Sequence, residues 1–336
     1  LELPEDAGEV TLTCRLVAKE DGAFFRREEE VAIGQTILRE ADVPLAKAPC
    51  AEGVVKGNFN VGMHNDKLSA LFTLAKNGLT SLKNAAGKEM LLQVPKLSLF
   101  RAPTDNDRGN GDSNRQAIWH VLSEHAFMHI EKIDVQPDSL TVVCKYSHPL
   151  LPNCDIFVTY VCDEADSVKV TVDYPGAPNQ SDLPAFGLSF QLDASLKHVD
   201  YYGMGPMETY ADRCSGAVLG RYHYEVAENM VPYMKPQECG NRMGVRTLSV
   251  TDDAGAGVVV EAMDAPLEIS VLPWTAEQIE AAGHYDELQG SCRTVLDIAL
   301  KRKGVGGDDS WGAPVHPEFC IPSDQPMKFS FKLKVK

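Results

Sequence analysis

Phe329-Ser-Phe-Lys-Leu-Lys-Val-Lys336 decides the fold class, because apolar and polar side chains alternate along it without a break. A period of two predicts a strand with one buried face and one face in water, and such strands occur in antiparallel sheets. The same pattern recurs in residues 10–16, 168–174 and 186–192. The sequence therefore predicts an all-β protein built around a large antiparallel β-sandwich.

Other segments complete this prediction. Further strands are predicted at residues 140–145, 156–162, 247–251, 258–262 and 294–301. Helices are few: residues 113–127 carry apolar side chains at helical spacing, with Asp112 or Ser113 available as the N-cap. Thr275-Ala-Glu-Gln278 fits a capping box that opens a short helix, which Gly283 would end. Strands and helices do not alternate as in βαβ units, so a parallel sheet is not expected.

Composition excludes several classes of protein. The chain has 336 residues, with 32 Lys or Arg and 48 Asp or Glu, so its net charge is −16. This charge repels phosphate backbones and anionic lipid headgroups, so neither nucleic-acid nor membrane binding is expected. No apolar run approaches the ~20 residues that span a bilayer. Nine cysteines without a C-x-x-C pair favour buried thiols and a reducing compartment over a disulfide framework.

The chain is longer than one hydrophobic core usually serves, which predicts one large and one partial domain. Residues 1–45 carry two or three strands, too few for an independent sandwich, and residues 42–49 read as a connector rich in Pro and Ala. We expect residues 1–45 to be the tail of a domain whose start is missing. Residues 50–336 are expected to form the large sandwich.

The sharpest local sequence is Gly304-Val-Gly-Gly-Asp-Asp-Ser-Trp311. Its glycines suggest a phosphate loop, but Asp308 and Asp309 would repel a phosphate and no Lys follows. A sugar fits better, because an indole covers its apolar C–H face while Asp or Ser side chains accept from its hydroxyls. The candidate substrate-binding residues are Trp311, Asp308, Asp309 and Ser310. The structural alternative, about equally favoured by composition, is a tight turn whose Trp fills the core.

A second segment, Leu99-Phe-Arg-Ala-Pro-Thr-Asp-Asn-Asp-Arg-Gly109, resembles a calcium loop at first sight. The EF-hand register fails, because its fifth position would fall on a glycine and its twelfth on a glutamine. We favour a structural role in which Arg101 pairs with the cluster that includes Asp105 and Asp107 and ties the loop together.

A third segment, Tyr202-Gly-Met-Gly-Pro-Met-Glu-Thr-Tyr-Ala-Asp-Arg213, follows a predicted strand and could line the rim of a pocket. The structural alternative is an ion pair of Arg213 with Glu208 or with Asp212. Such a pair contributes little to stability when it lies at the surface.

A fourth segment, Pro236-Gln-Glu-Cys-Gly-Asn-Arg242, also carries opposite charges. Its Glu238 and Arg242 are predicted to form a bidentate pair that holds the loop, since a guanidinium offers two parallel donors to one carboxylate. The structural reading is favoured over a direct role in chemistry.

Other kinds of site find little support. The sequence has no G-x-S-x-G and no H-E-x-x-H motif. His120, His125 and His129 are close in sequence, and His125 and His129 would share one face of a helix, but no third ligand is evident. We expect scattered surface histidines, and neither a metal site nor a cofactor in this chain.

Five segments together resemble the lac-type β-galactosidases of glycoside hydrolase family 2 and occur in the order typical of that family. They are residues 101–107, 202–213, 236–242, 273–278 and 304–311. The resemblance implies the last strands of an immunoglobulin-like sandwich, followed by a terminal supersandwich of the galactose mutarotase type. It also implies a C-terminal part of a retaining glycosidase that acts on terminal β-D-galactosides, forms a homo-oligomer and resides in the cytoplasm, with the periplasm as the alternative.

The resemblance also implies where the chemistry lies. In the family, the acid/base Glu and the nucleophile Glu sit on a TIM barrel that also holds Mg²⁺ and Na⁺, so we expect no catalytic residue here and no activity of the isolated segment. Trp311 matches a Trp that reaches the mouth of the active site, and it is the expected substrate contact. The motif residues expected to be structural are Arg101, Asp105, Asp107, Glu208, Arg213, Glu238 and Arg242.

Two other kinds of protein remain open. One is a stand-alone mutarotase-like protein that binds carbohydrate or acts as an aldose 1-epimerase, which needs a carboxylate base and a His acid. Glu208 or Asp308 would be the base, with one of the nine histidines as the acid. The other is a purely structural sandwich.

Overall fold

Antiparallel strands make up most of the regular structure in the computed structural model, which describes residues 8–40, 53–288 and 290–336. The strands are β1 (Val10–Val17), β2 (Glu30–Arg39), β3 (Val54–Lys56), β4 (Asn60–His64), β5 (Leu68–Thr73), β6 (Gly78–Asn84), β7 (Lys96–Ser98), β8 (Phe127–Val135), β9 (Leu140–Ser147), β10 (Ile156–Cys162), β11 (Ser167–Tyr174), β12 (Ala185–Asp193), β13 (His198–Gly205), β14 (Val218–Glu225), β15 (Asn241–Val245), β16 (Thr247–Thr251), β17 (Gly257–Ala262), β18 (Leu267–Leu272), β19 (Arg293–Arg302) and β20 (Met327–Val335). The helices are α1 (Asp105–Gly109), α2 (Asp112–Arg115), α3 (Ala117–His125) and α4 (Ala276–Ala281), with 3-10 turns at Val226–Asn229, Tyr285–Glu287 and Pro317–Phe319. The predicted all-β antiparallel class is confirmed.

The largest sheet has nine strands in the order β14-β13-β16-β17-β20-β11-β10-β9-β8. At its centre β11 pairs with β20, so that Val170 lies opposite Phe331 and both face the core. On the other face Thr171 and Ser330 share a hydrogen bond of 2.9 Å. Two alternating sequences thus bury their apolar faces together, and each large apolar side chain buried in this way contributes about 1.5–3 kcal/mol.

A five-stranded sheet, β15-β18-β19-β12-β7, packs against the first. The alternation in β12 predicts one wet face, and that prediction is wrong: from Ala185 to Leu192 only Ser189 is not fully buried, and β18 is buried along its whole length. The second face is covered because α3 contacts β7 and the 3-10 turn at Val226–Asn229 contacts β18.

A four-stranded sheet, β3-β4-β5-β6, joins the same hydrophobic core. Phe72 of β5 meets Tyr160 of β10 edge to face, with ring centroids 5.2 Å apart. This geometry is one that aromatic pairs prefer, because the positive edge of one ring meets the negative face of the other. The sheets therefore form one continuous sandwich rather than separate units.

The helices follow the predictions in part. Thr275 and Gln278 form the predicted capping box of α4, whose C-cap is Ala282. The helix predicted over residues 113–127 is instead two short helices separated at Gln116, and β8 begins at Phe127. Asp112 does not cap α2, because its carboxylate accepts from the Lys303 ammonium at 2.7 Å.

Strands β1 and β2 form a separate hairpin that packs on β14, the edge strand of the large sheet. The Gln35 amide bonds the backbone of Leu219 twice, donating to its oxygen at 2.9 Å and accepting from its nitrogen at 2.7 Å. Glu9 adds an ion pair with Arg246 at 2.8 Å. The predicted connector at residues 42–49 lies outside the described residues. No helix of the described ranges is long and apolar enough to cross a membrane.

Candidate functional site

The loop that follows β19, residues 303–313, carries the Trp311 motif and is held from several sides. The Asp212 carboxylate accepts from the backbone nitrogens of Val305 and Gly306 at 3.0 and 2.7 Å. A Cβ at Gly304 would lie 2.4 Å from an Asp212 carboxylate oxygen, so this position requires glycine. The glycines of the motif thus let the backbone approach a carboxylate rather than a phosphate.

Helix α1 fixes the start of this loop through the Arg101 guanidinium. Arg101 donates to the carbonyl oxygens of Lys303 at 2.5 Å and Gly304 at 2.9 Å, and it forms a buried ion pair with Asp107 at 2.9 Å. Burial opposes the charge of Asp107, but the Arg101 guanidinium prevails and holds the pKa of that carboxyl below its usual value. Arg101 and Asp107 thus form the pair that the sequence suggests, while Asp105 lies at the surface and bonds Gln237.

Trp311 stands on the outer side of the loop, with 90% of its surface exposed. Its backbone nitrogen donates to the Asp309 carboxylate at 2.8 Å, which closes a tight turn. Ser310 is exposed, as is Asp308, which forms an ion pair with His316 at 2.8 Å. The alternative in which the indole fills the core is wrong, since the ring is presented to solvent. Contact of Trp311, Asp308, Asp309 or Ser310 with a sugar stays a prediction.

The loop after β13 contains the predicted pair of Glu208 and Arg213, at 2.8 Å. The Glu208 carboxylate is nearly inaccessible and also accepts from the Gly240 nitrogen at 2.7 Å, so the pair is more than a surface contact. The loop, including its residues Pro206 and Met207, lines an open depression of about 440 Å³. The prediction that this segment lines the rim of a pocket is consistent with this placement.

The predicted pair of Glu238 with Arg242 does not form. Glu238 instead pairs with Arg302, the last residue of β19, at 3.2 Å and accepts from the Tyr210 hydroxyl at 3.0 Å. Arg242 points toward the large sheet, where it donates to the Tyr201 hydroxyl at 3.1 Å and covers the Tyr224 ring at 5.1 Å. The loop before β15 therefore sends its carboxylate and its guanidinium to different partners.

A further buried carboxyl group, that of Glu268, lies next to the pair of Glu238 and Arg302 and was not predicted from the sequence. Glu268 lies in β18, accepts from the Asn241 amide at 2.9 Å and accepts from the Arg302 backbone nitrogen at 3.1 Å. Burial raises the pKa of Glu268 to about 7, against the opposing effect of these hydrogen bonds. The only signal in the sequence was a carboxylate inside the apolar run Leu267–Leu272.

The three histidines that are close in sequence, His120, His125 and His129, do not converge on one site. His129 lies on β8, where it pairs with Glu131 at 2.8 Å, so the predicted shared helix face with His125 is wrong. The helix ends at His125, and the His120 ring packs at a tilt against Phe100 with centroids 4.4 Å apart. Across the described parts of the chain no group of three or more His, Cys, Asp or Glu side chains could hold a metal ion.

The chain is similar to known proteins over most of its length. Residues 64–333 match a protein-family model described as beta galactosidase small chain. The chain is 36% identical over 332 residues to a β-galactosidase of Halalkalibacterium halodurans, an alignment that covers 98% of this chain and 33% of that protein. It is 30% identical over 312 residues to a β-galactosidase small subunit of Latilactobacillus sakei, covering 83% of this chain and 96% of that one.

Among solved structures, a galactose mutarotase-like protein from Lactobacillus casei aligns with a TM-score of 0.41 and 11% identity, covering 82% of this chain and all of that chain. The present chain spans about a third of the length of the first curated relatives that it matches.

Proposed function

Because this chain belongs to the β-galactosidase small-chain family, we propose that it is the C-terminal part of a β-galactosidase that hydrolyses terminal β-D-galactosides with retention. In this proposal it supplies one side of the sugar site and takes part in subunit contacts of a homo-oligomer. The observation that carries the proposal is Trp311, an indole 90% exposed on a loop that is otherwise bonded down at both ends. An exposed aromatic ring on a fixed support is what stacking on a sugar requires.

Retaining hydrolysis needs two carboxyl groups about 5–5.5 Å apart across the scissile bond. The buried carboxylates beneath the loop are already engaged: Asp107 with Arg101, Glu208 with Arg213 and Glu238 with Arg302. Those of the loop itself and of Asp212 are engaged as well, Asp308 with His316 and the other two with backbone nitrogens of the loop. We therefore place the catalytic Glu pair on a TIM barrel outside this chain, and any Mg²⁺ and Na⁺ sites with it. The role of the present chain is then binding and orientation of substrate.

We assign the contact with that barrel to the exposed surface next to the Trp311 loop. Met207, 73% exposed, lies in the loop whose Asp212 bonds the Trp311 loop. Met234, 84% exposed, lies in the loop whose Gln237 bonds Asp105 of α1. These side chains are candidates for the contact, because exposed apolar patches are typical of an interface.

Domain boundaries and location follow the same proposal. Residues 1–45 are the last strands of an immunoglobulin-like sandwich, which gives the exposed Leu16 of β1 a covering layer, and residues 50–336 form the terminal domain. The protein is placed in the cytoplasm, in keeping with free, buried thiols such as that of Cys144.

The proposal is tested by Trp311→Ala in the complete enzyme. We expect KM for a nitrophenyl β-galactoside to rise roughly tenfold, as for the loss of a contact at the lower end of the about 1–3 kcal/mol that stacking of a nucleic-acid base on an aromatic ring contributes. The melting temperature should stay unchanged because the ring is exposed. Trp311→Phe, which keeps an aromatic face, serves as the matched control and should recover most of the affinity. Unchanged KM and kcat in the Ala variant would contradict the assignment.

A stand-alone aldose 1-epimerase is the second candidate, and one observation bears on it. His316 lies 2.8 Å from Asp308, so a carboxylate and a histidine do meet at the Trp311 loop. The carboxylate raises the pKa of His316, and both side chains are exposed and bonded to each other. An acid and a base that act on a sugar must instead each reach the substrate, so we favour the glycosidase.

A further inference from the structure

We propose that Asn106 is the positioning residue for Trp311. The proposal rests on the proposed function, in which Trp311 contacts the sugar. With 90% of its surface exposed, the indole has little packing that could fix its direction. Its direction must therefore come from the backbone on either side of it, and Asn106 is the side chain that contacts both sides.

The Asn106 carboxamide brackets the turn. Its nitrogen donates to the Asp309 carbonyl oxygen at 2.8 Å, and its oxygen accepts from the Gly312 nitrogen at 3.3 Å. These two atoms flank Trp311 in the chain, so one rigid planar group spans the turn. Only an amide offers a donor and an acceptor side by side, which is why the position calls for Asn rather than Asp.

The support that presents Asn106 is itself fixed. Helix α1 begins with a capping box between Thr104 and Asp107, and Asp107 is locked by Arg101. Asn106 is 9% exposed, so its rotamer is confined. Helix α1 thus acts on both ends of the loop: its Asp107 holds the Arg101 guanidinium that bonds the start, and its Asn106 bonds the Trp311 turn.

A second contact holds the same turn from inside. The Asp309 carboxylate accepts from the nitrogens of Trp311 at 2.8 Å and Ala313 at 3.2 Å. Gly312 has a φ of +109°, and a Cβ there would lie 2.8 Å from the Gly109 backbone of α1. The turn is therefore pressed against the helix that carries Asn106, which leaves little freedom once both hydrogen bonds are made.

The test uses Asn106→Asp, which keeps the shape and the acceptor but removes the donor and places a carboxylate beside the Asp309 carbonyl. Nanosecond fluorescence anisotropy of this chain reports the motion of Trp311, when the signal of the same variant carrying Trp311→Phe is subtracted to remove Trp119 and Trp274. We expect the amplitude of the fast component of the anisotropy decay to rise about twofold or more, because a loop that loses its contacts moves on the nanosecond scale. Asn58→Asp, an exposed change of the same charge, should leave it unaltered.

A second variant keeps the proposal testable if Asn106→Asp fails to fold. Asn106→Ser removes both carboxamide contacts without adding a charge, and it should also raise the fast component of the anisotropy decay. Asp309→Asn keeps the backbone carbonyl that Asn106 bonds and an acceptor oxygen in the side chain, so it is the matched control and should leave the fast component unaltered. No rise of that component in a folded Asn106→Asp or Asn106→Ser would overturn the proposal.

The complete enzyme separates this proposal from the proposed function. If Asn106 positions a sugar-binding ring, Asn106→Asp should raise KM roughly tenfold with little change in melting temperature. A mobile Trp311 with unchanged KM would support the positioning role and contradict the contact of Trp311 with sugar. An immobile Trp311 would overturn the positioning role whatever KM becomes.

Discussion

Glu268 places a carboxyl group inside the five-stranded sheet, next to Asn241 and the backbone of Arg302. Burial raises its pKa to about 7, from an ordinary value of 4.5. A folded state with the higher pKa binds the proton more tightly, so this residue stabilises the fold fully below about pH 4.5 and loses that contribution as pH rises through 7. The loss amounts to about 3 kcal/mol.

We therefore expect the free energy of unfolding to fall between pH 5 and pH 8, and Glu268→Gln to remove most of that slope. Urea unfolding at several pH values measures it. Glu20→Gln, an exposed substitution of the same chemistry, is the control and should keep the slope of the unaltered chain. Parallel slopes for Glu268→Gln and the unaltered chain would show that Glu268 is already ionised at pH 5.

At the same scale, Glu238 pairs with Arg302 rather than with Arg242. Breaking a buried ion pair leaves an uncompensated charge and costs about 3–5 kcal/mol. We expect Glu238→Gln and Arg302→Met to be strongly coupled in a double-mutant cycle of unfolding free energies. The matched cycle of Glu238→Gln with Arg242→Met should show coupling near zero, since Arg242 bonds Tyr201 instead. Comparable coupling in both cycles would contradict the pairing seen in the structure.

Pairings of this kind mark the limit of sequence-based prediction at the scale of residues. Arg101 with Asp107, and Glu208 with Arg213, lie six and five residues apart and could be predicted, because a short loop keeps them close. Glu238 and Arg302 are 64 residues apart, so only the sheet topology brings them together. The sequence also leaves the exposure of Trp311 open, because composition cannot distinguish an exposed indole that contacts a ligand from one that fills the core.

At the scale of elements, the turn at Gly312 depends on a backbone conformation that other residues avoid. Its φ of +109° and its contact with the Gly109 backbone predict that Gly312→Ala lowers the free energy of unfolding by about 1–3 kcal/mol. Gly216→Ala is the control, because a Cβ at that position meets no atom within 4 Å and its φ is not positive. Thermal unfolding of both variants measures the effect, and equal melting temperatures would show that the turn relaxes without cost.

Strands were predicted more accurately than helices, for a physical reason. Alternation is a property of the strand itself, and the predicted strands at residues 156–162 and 247–251 have the bounds found in the structure. Apolar spacing alone does not mark where a helix stops, and no glycine or proline directly follows His125, so the prediction over residues 113–127 includes the first residue of β8. The burial of both faces of β12 depends on what packs above it, which the alternation does not contain.

For the whole molecule, the proposed division of labour predicts that this chain alone is inactive. The buried carboxylates beneath the Trp311 loop are paired with Arg101, Arg213 and Arg302, and Asp308 and Asp309 are bonded within the loop region, so we expect no hydrolysis of a nitrophenyl β-galactoside. The complete enzyme at equal molarity is the positive control. Turnover by the purified chain that survives removal of contaminating enzyme would contradict the proposal. Accelerated interconversion of galactose anomers by the chain would instead favour the epimerase.

The hairpin has a consequence for how the protein behaves in solution. An edge strand offers unpaired backbone groups on which a strand of another molecule can add, and this is a common start of aggregation. The Gln35 amide occupies both backbone groups of Leu219 on β14 and so mimics a neighbouring strand at that point. The hairpin therefore covers part of the β14 edge, and this coverage opposes the addition of strands from other molecules to the large sheet when the protein is concentrated.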